Sequence, residues 1–324
     1  MRKALIIGID NYGGKNDLAG CVNDANDMAF LFARHGNDDA NFAIKKHIDV
    51  KEKGILKGYI NDCFAGKDDV ALFYFSGHGY IDQHGCGYII TPDFKENDWG
   101  VSMYDILTIV NKSKCKNKIV ILDCCHSGSM GTPPTADQKM TEIADGVTIL
   151  TACEDEQVSL EYGGRGVFTA LLSDALMGGA SDITGHITPG GIYAYIDKAL
   201  GAWEQRPVFK TNVTSFCSLR NVIPQVDIKI LRKIVEYFPQ YDSEKLLNPS
   251  YEFTNVEGGE HKSVQPYARE ENIKIFKDLQ SLESVGLVVP CGEEHMYFAA
   301  MNSKSCKLTT IGEHYWRLVK KNII

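Results

Sequence analysis

Lys118 to Gly128 reads KIVILDCCHSG, a buried-strand pattern that ends in a carboxylate, two adjacent thiols, a histidine and small residues. Upstream, ALFYFSGHG (Ala71 to Gly79) is a second apolar run, and it ends in a histidine set between glycines. Two neighbouring strand ends of this kind can place a thiol beside an imidazole. A cysteine attacks a carbonyl as thiolate, and a nearby histidine both lowers its pKa and later protonates the leaving amine. A Cys-His hydrolase is the first expectation.

Working outward, ALIIGI (Ala4 to Ile9) and GVTILTA (Gly146 to Ala152) share the same continuous apolarity, the pattern of strands covered on both faces. Segments with helical spacing and polar starts lie between the runs: Asp24 to His35, Val50 to Phe64 and Met103 to Asn111. Two more, Phe168 to Met177 and Pro189 to Leu200, precede RPVF (Arg206 to Phe209), read as the final strand. The order predicts an α/β fold with an open, mostly parallel sheet flanked by helices. Functional groups in such sheets collect beyond the carboxyl ends of the strands, where Asp10, Ser76 to Gly79 and Asp123 to Gly128 fall.

From about Pro224 the long apolar runs stop. Val226 to Phe238 and Arg269 to Gly286 are amphipathic, and LVVP, HMYFAAM and CKLTTIGEHYWRLVKK suggest a small hairpin and a last helix. This order resembles a winged helix. The expected division is residues 1–223 for the α/β domain and 224–324 for a smaller α+β, winged-helix-like domain with a regulatory or interaction role.

At 324 residues, 44 % hydrophobic and 23 % charged, the composition is that of an ordinary globular protein, and the formal charge of −8 argues against a general nucleic-acid binder. The second domain balances 13 Lys plus Arg against 14 Asp plus Glu from Gln225 onward, which weakens a DNA-binding reading of that segment. Ten scattered cysteines make neither a disulfide scaffold nor a CxxC zinc site and read as reduced thiols of a cytoplasmic protein. The first apolar run ends at Asp10, too short for a signal peptide or a membrane span.

Small residues around His78 let the backbone turn and leave the ring accessible. Between the two thiols, strand alternation sends Cys124 and Cys125 in opposite directions. Cys125, at the strand end, is the expected nucleophile, and Cys124 a small buried hydrophobe. Backbone N–H groups around Gly79 and Cys125 are the expected oxyanion donors. Carboxylates near the nucleophile favour an arginine or lysine on the substrate, with Asp123 and Asp24 as candidates; Asp24 reads equally as a helix N-cap.

Together, ALIIGIDNY, the GCVNDA of Gly20 to Ala25, the FSGHG of Phe75 to Gly79, the LDCCHSG of Leu122 to Gly128 and GVFTALL near Gly166 resemble the caspase-like cysteine peptidases, in their metacaspase and orthocaspase branch. The resemblance runs from about Arg2 to Phe209. It implies a caspase-type fold, His78 as acid and base, Cys125 as nucleophile, and an acidic S1 pocket made by Asp24 and Asp123 and lined by Cys21 and Ser76. Cleavage of protein or peptide substrates after Arg or Lys is the implied activity. Asp93 matches one calcium-binding position of the family, but Ser102-Met103 stands where a pair of aspartates is common, so activity without calcium or any other cofactor is expected. Lys139 lies in the Gly-, Pro- and Thr-rich stretch after the nucleophile, where it suits self-cleavage or is simply a solvated charge. The other reading of the whole chain is a non-catalytic, caspase-like scaffold.

Overall fold

Apolar residues without alternation need cover on both sides, and the structure, a computed structural model, supplies it. It describes residues 1–324 apart from 97, 125–141, 153–160, 163–164, 201–205 and 259–262. The described chain falls into two units, Met1–Ile223 and Pro224–Ile324. The first runs β1 (Arg2–Gly8), α1 (Cys21–Ala33), β2 (Ala43–Ile48), α2 (Lys53–Phe64), β3 (Val70–Ser76), β4 (Gly79–Ile81), β5 (Gly87–Lys95) and β6 (Asp98–Ser102). It continues through α3 (Met103–Lys112), β7 (Asn117–Asp123), β8 (Val147–Thr151), β9 (Glu161–Tyr162), β10 (Arg165–Gly166) and α4 (Val167–Asp174). β11 (His186–Ile187), α5 (Pro189–Leu200), β12 (Val208–Asn212) and β13 (Arg220–Asn221) complete it.

Six strands form the central sheet in the order β12, β8, β7, β3, β1, β2. All neighbours are parallel except β12, which runs antiparallel to β8. Every residue of β3 is buried because helices cover both faces. Leu56 and Ile60 of α2 and Ile106 and Val110 of α3 pack on one side; Met28 and Phe32 of α1, Phe168 and Leu172 of α4, and Ile192 and Ile196 of α5 pack on the other. α1 comes close to β1 at Gly8, where a Cβ would lie 2.3 Å from the Cys21 carbonyl oxygen. β1 has β2 on one side and β3 on the other, so the winding direction reverses between β1 and β3. A crevice opens at such a point beyond the strand ends.

The final strand starts at Val208 rather than Arg206, and its antiparallel direction is the one departure from a uniformly parallel sheet. The edge strand β2 and the separate three-stranded sheet β4-β5-β6 had no expectation from sequence. β2 carries Lys45, Lys46 and His47 and leaves four of its six residues exposed, so it lacks an apolar run.

In the second unit, α6 (Ile228–Arg232), α7 (Ile234–Tyr237) and β14 (Glu244–Leu246) are followed by α8 (Glu270–Ser284), β15 (Val288–Cys291), α9 (Met296–Met301), β16 (Ser305–Leu308) and α10 (Thr310–Lys320). Its antiparallel sheet has the order β14-β16-β15. The expected helix over Val226 to Phe238 breaks into α6 and α7 at Lys233. HMYFAAM is corrected from strand to helix: α9 buries Met296, Ala299 and Ala300 and connects β15 to β16 in place of a tight hairpin. The indole of Trp316 in α10 donates to the Phe238 carbonyl at 2.7 Å and ties the ends of this unit together.

Candidate active site

The tips of β1, β3 and β7 are joined by backbone hydrogen bonds. Ile9 N–H donates to the Ser76 carbonyl at 3.0 Å and Gly77 N–H to that of Asp123 at 3.3 Å. Ser76 and Asp123 stand directly opposite each other in register. The residues that follow β3 and β7 therefore leave the sheet at one place.

His78 follows immediately. Its backbone N–H donates to the Tyr12 hydroxyl at 2.9 Å, and the two rings lie 4.6 Å apart. Burial holds the Tyr12 phenol well above its ordinary pKa, so it stays neutral. The imidazole Nε2 is 2.7 Å from the Asn16 carbonyl oxygen. A carbonyl only accepts, so Nε2 carries the hydrogen and Nδ1 is left as the basic nitrogen. Gly79 lies beside the ring in a cleft of about 240 Å³ whose walls include Tyr80 and Trp99. Cys125, the expected nucleophile and oxyanion donor, and Lys139 lie outside the described residues. Cys124 is buried in the core under α2 and α3, on the face away from α4.

The expected substrate-binding residues meet on the other face. Asp24 and Asp123 are both buried, and Ser76 and Cys21 are buried beside them. Ser76 Oγ donates to Asp24 Oδ2 at 3.2 Å, and Gly166 N–H to the same oxygen at 3.3 Å. Asp24 Oδ1 has no hydrogen-bond partner among the described residues. A Cβ on Gly166 would stand 2.5 Å from Asp123 Oδ2 and 3.3 Å from Asp24 Oδ2, so both carboxylates turn toward this glycine. Burial, and then the neighbouring charge of Asp123, push the Asp24 carboxyl up to about 7; the hydrogen bonds from Gly166 and Ser76 act in the opposite direction. Burial likewise raises the Cys21 thiol, which lines the site as a neutral group rather than as a second nucleophile.

The capping alternative for Asp24 is settled by its neighbours. α1 begins after Gly20, which has no capping side chain. Asp10, just beyond β1, accepts from the N–H groups of Cys21 at 2.8 Å and Val22 at 3.2 Å. With the helix end satisfied by Asp10, Asp24 in its first turn is left to face Asp123.

Asp93 serves the other side of the fold. Its carboxylate accepts from Lys53 N–H at 3.2 Å, at the start of α2. The Lys53 ammonium pairs with Asp98, and Ser102 Oγ caps α3 by accepting from Asp105 N–H at 3.0 Å. Oxygens committed to two helix ends and a resident ammonium do not fit a strong calcium site, which needs six or more available oxygens. Among the described residues no group of three or more His, Cys, Asp or Glu side chains is arranged to hold a metal ion.

Four contributors escaped sequence reasoning: the Tyr12 hydroxyl, the Asn16 carbonyl, Gly166 and Thr169, whose Oγ1 donates to Asp123 Oδ2 at 2.6 Å. Three of them left a trace: Tyr12 closes the ALIIGIDNY stretch, and Gly166 and Thr169 fall in the GVFTALL segment.

With this geometry in place, comparison with known proteins gives the lineage. Residues 1–211 match the family model described as the caspase domain. The chain belongs to the caspase-domain family of cysteine peptidases. The caspase domain here is similar to Metacaspase-1 of Debaryomyces hansenii, 29 % identical over 194 aligned positions, with 53 % of this chain and 40 % of that protein covered. It is similar also to Metacaspase-2 of Trypanosoma brucei brucei, 26 % identical over 204 aligned positions, with 51 % of this chain and 58 % of that protein covered. The chain thus spans about half the length of the curated relatives it matches. The crystal structure of protein GSU0716 from Geobacter sulfurreducens shares the fold, with a TM-score of 0.50 at 20 % identity over 68 % of this chain and 97 % of that one. Among the described residues no helix is long and apolar enough to cross a membrane.

Proposed function

We propose that the caspase domain is an endopeptidase that cleaves after Arg or Lys, with His78 and Cys125 as its catalytic pair. The observation that carries this reading is the convergence of two buried carboxylates on Gly166, one of them with an oxygen that has no partner among the described residues. A buried carboxylate pair is costly to keep unless a cation completes it. An extended peptide whose basic side chain enters beside Gly166 supplies that cation, and its guanidinium or ammonium satisfies the waiting oxygen.

In this mechanism His78 Nδ1, left bare by the Asn16 contact, takes the Cys125 proton. The thiolate adds to the carbonyl carbon, and His78 returns the proton to the leaving amine as the C–N bond breaks. Water, deprotonated by the same nitrogen, then releases the acyl group from sulfur. Backbone N–H groups near Gly79 and Cys125 receive the oxyanion. No step is assigned to a metal ion, and Lys139 is proposed as the self-cleavage position.

Hydrolysis of fluorogenic peptides ending in Arg, Lys or Asp tests the reading under reducing conditions. Wild-type protein is expected to cleave the first two, and Cys125→Ala and His78→Ala neither. A folded wild-type protein that leaves the Arg and Lys peptides intact would overturn the proposal. End-sequencing of the protein's own fragments, absent in Cys125→Ala, tests Lys139.

A further inference from the structure

Behind the carboxylate pair lies a chain of hydroxyls. Tyr74, in the middle of β3, is completely buried, as is Thr169 in α4. Their oxygens are 2.6 Å apart, and Thr169 Oγ1 is in turn 2.6 Å from Asp123 Oδ2. The direction of the chain follows from proton counting. The threonine hydroxyl has one hydrogen and spends it on the carboxylate, so the bond from Tyr74 must be donated by the phenol. Each donor polarises the next, and the negative charge at Asp123 is where the chain ends. Burial and the charges of Asp123 and Asp24 raise the Tyr74 phenol well above its ordinary range, so it remains a donor at any working pH.

Asp24 receives nothing comparable. Its two hydrogen bonds are long, both fall on one oxygen, and the other oxygen has no partner among the described residues. The two carboxylates are therefore unequal. Among the described residues, the groups around them are Cys21 and Asp27 from α1, Asp10 beyond β1, Tyr74 from β3 and the Thr169 hydroxyl from α4, a set that contains no cation.

We infer that Tyr74 and Thr169 are positioning residues for substrate selection: their two hydroxyls fix Asp123 as the permanently charged member of the pair, leaving Asp24 to release its proton when a basic side chain arrives. This rests on the basic-substrate reading of the same site. Such a device lets the empty pocket avoid holding two adjacent buried charges, and ties tight binding to arrival of the cation.

The test is peptide binding to full-length Cys125→Ala protein between pH 5 and 9, using an arginine-containing peptide and the same peptide with neutral, isosteric citrulline. The arginine peptide is expected to bind more tightly as pH rises through the Asp24 transition, and the citrulline peptide to show little dependence. Adding Thr169→Val removes one hydroxyl at nearly constant volume. It is expected to weaken arginine binding about tenfold and to move the transition upward by about one pH unit, the scale of one hydrogen bond to a charged group. Thr169→Ser is expected to restore both, and Tyr74→Phe to shift both in the same direction by less.

Equal binding of the arginine and citrulline peptides would sink the basic-pocket reading, and this inference with it. A strong arginine preference combined with an unmoved transition in both Thr169→Val and Tyr74→Phe would overturn the hydroxyl chain alone. Failure of Thr169→Ser to restore what Thr169→Val loses would do the same, by showing a packing effect. If Thr169→Val does not fold, Tyr74→Phe decides the matter.

Discussion

Asp24 links the pH behaviour of the site to that of the fold. Burial and Asp123 raise its carboxyl to about 7 in the folded chain, against about 4 for an unperturbed aspartate. Between those values the folded chain keeps a proton that the unfolded chain has lost. The sign is then fixed: stability falls as pH rises through this window. Asp24→Asn is expected to melt higher than wild type at pH 8, by up to about 4 kcal/mol of relieved cost, with no such gain at pH 4. Thermal melts at the two pH values check this. The same substitution is expected to weaken cleavage after Arg, as a residue retained for function at the expense of stability should. At this scale the sequence exposed the charged residues and hid their support. Asp123 and His78 announce themselves at the ends of apolar runs. Tyr74 sits inside such a run, where an aromatic residue reads as core, and the Asn16 carbonyl is a backbone group that no side-chain pattern reveals.

The element that sets the pocket is α1, and what sets α1 is Asp10. A single carboxylate beyond β1 receives the first two N–H groups of the helix, while Gly8 lets the helix approach the strand. This places Cys21 and Asp24 over the reversal point of the sheet. Asp10→Ala is expected to cost about 1 kcal/mol, the usual value of a lost cap, and also to raise KM for Arg peptides because the first turn carries Asp24. A denaturant titration and steady-state kinetics on the same protein separate the two effects. Asp10→Asn, which keeps an acceptor, is expected to recover most of the stability. Strands with apolar cover on both faces, β1, β3, β7 and β8, were legible as continuous runs. β2 was not, because an edge strand needs charge rather than apolarity to discourage unwanted pairing. α9 was missed for the opposite reason: six residues are too few to distinguish helical from extended spacing.

For the whole molecule, the distribution of carboxylates makes a prediction about ions. Asp93 and Asp98 are occupied with Lys53 at the start of α2, and Ser102 with α3. Cleavage of an Arg peptide is therefore expected to proceed at the same rate in calcium or in a chelator, and loss of activity on chelation would contradict it. The caspase domain accounts for residues 1–211, and the second unit has its own core around Phe238, Phe276, Leu279 and Trp316. The change of texture near Pro224 was visible in the sequence because the long apolar runs of a covered parallel sheet give way to short strands and amphipathic helices.

Gly166 carries a consequence for how this protein can change over generations. Its missing side chain is the space toward which two acidic oxygens turn, and a single methyl would fall 2.5 Å from one of them. There is no amino acid between hydrogen and methyl, so drift at this position offers no gradual narrowing. On the proposed reading, a change of peptide preference goes through the acidic pair itself, where exchange of an aspartate for asparagine alters charge at nearly constant volume.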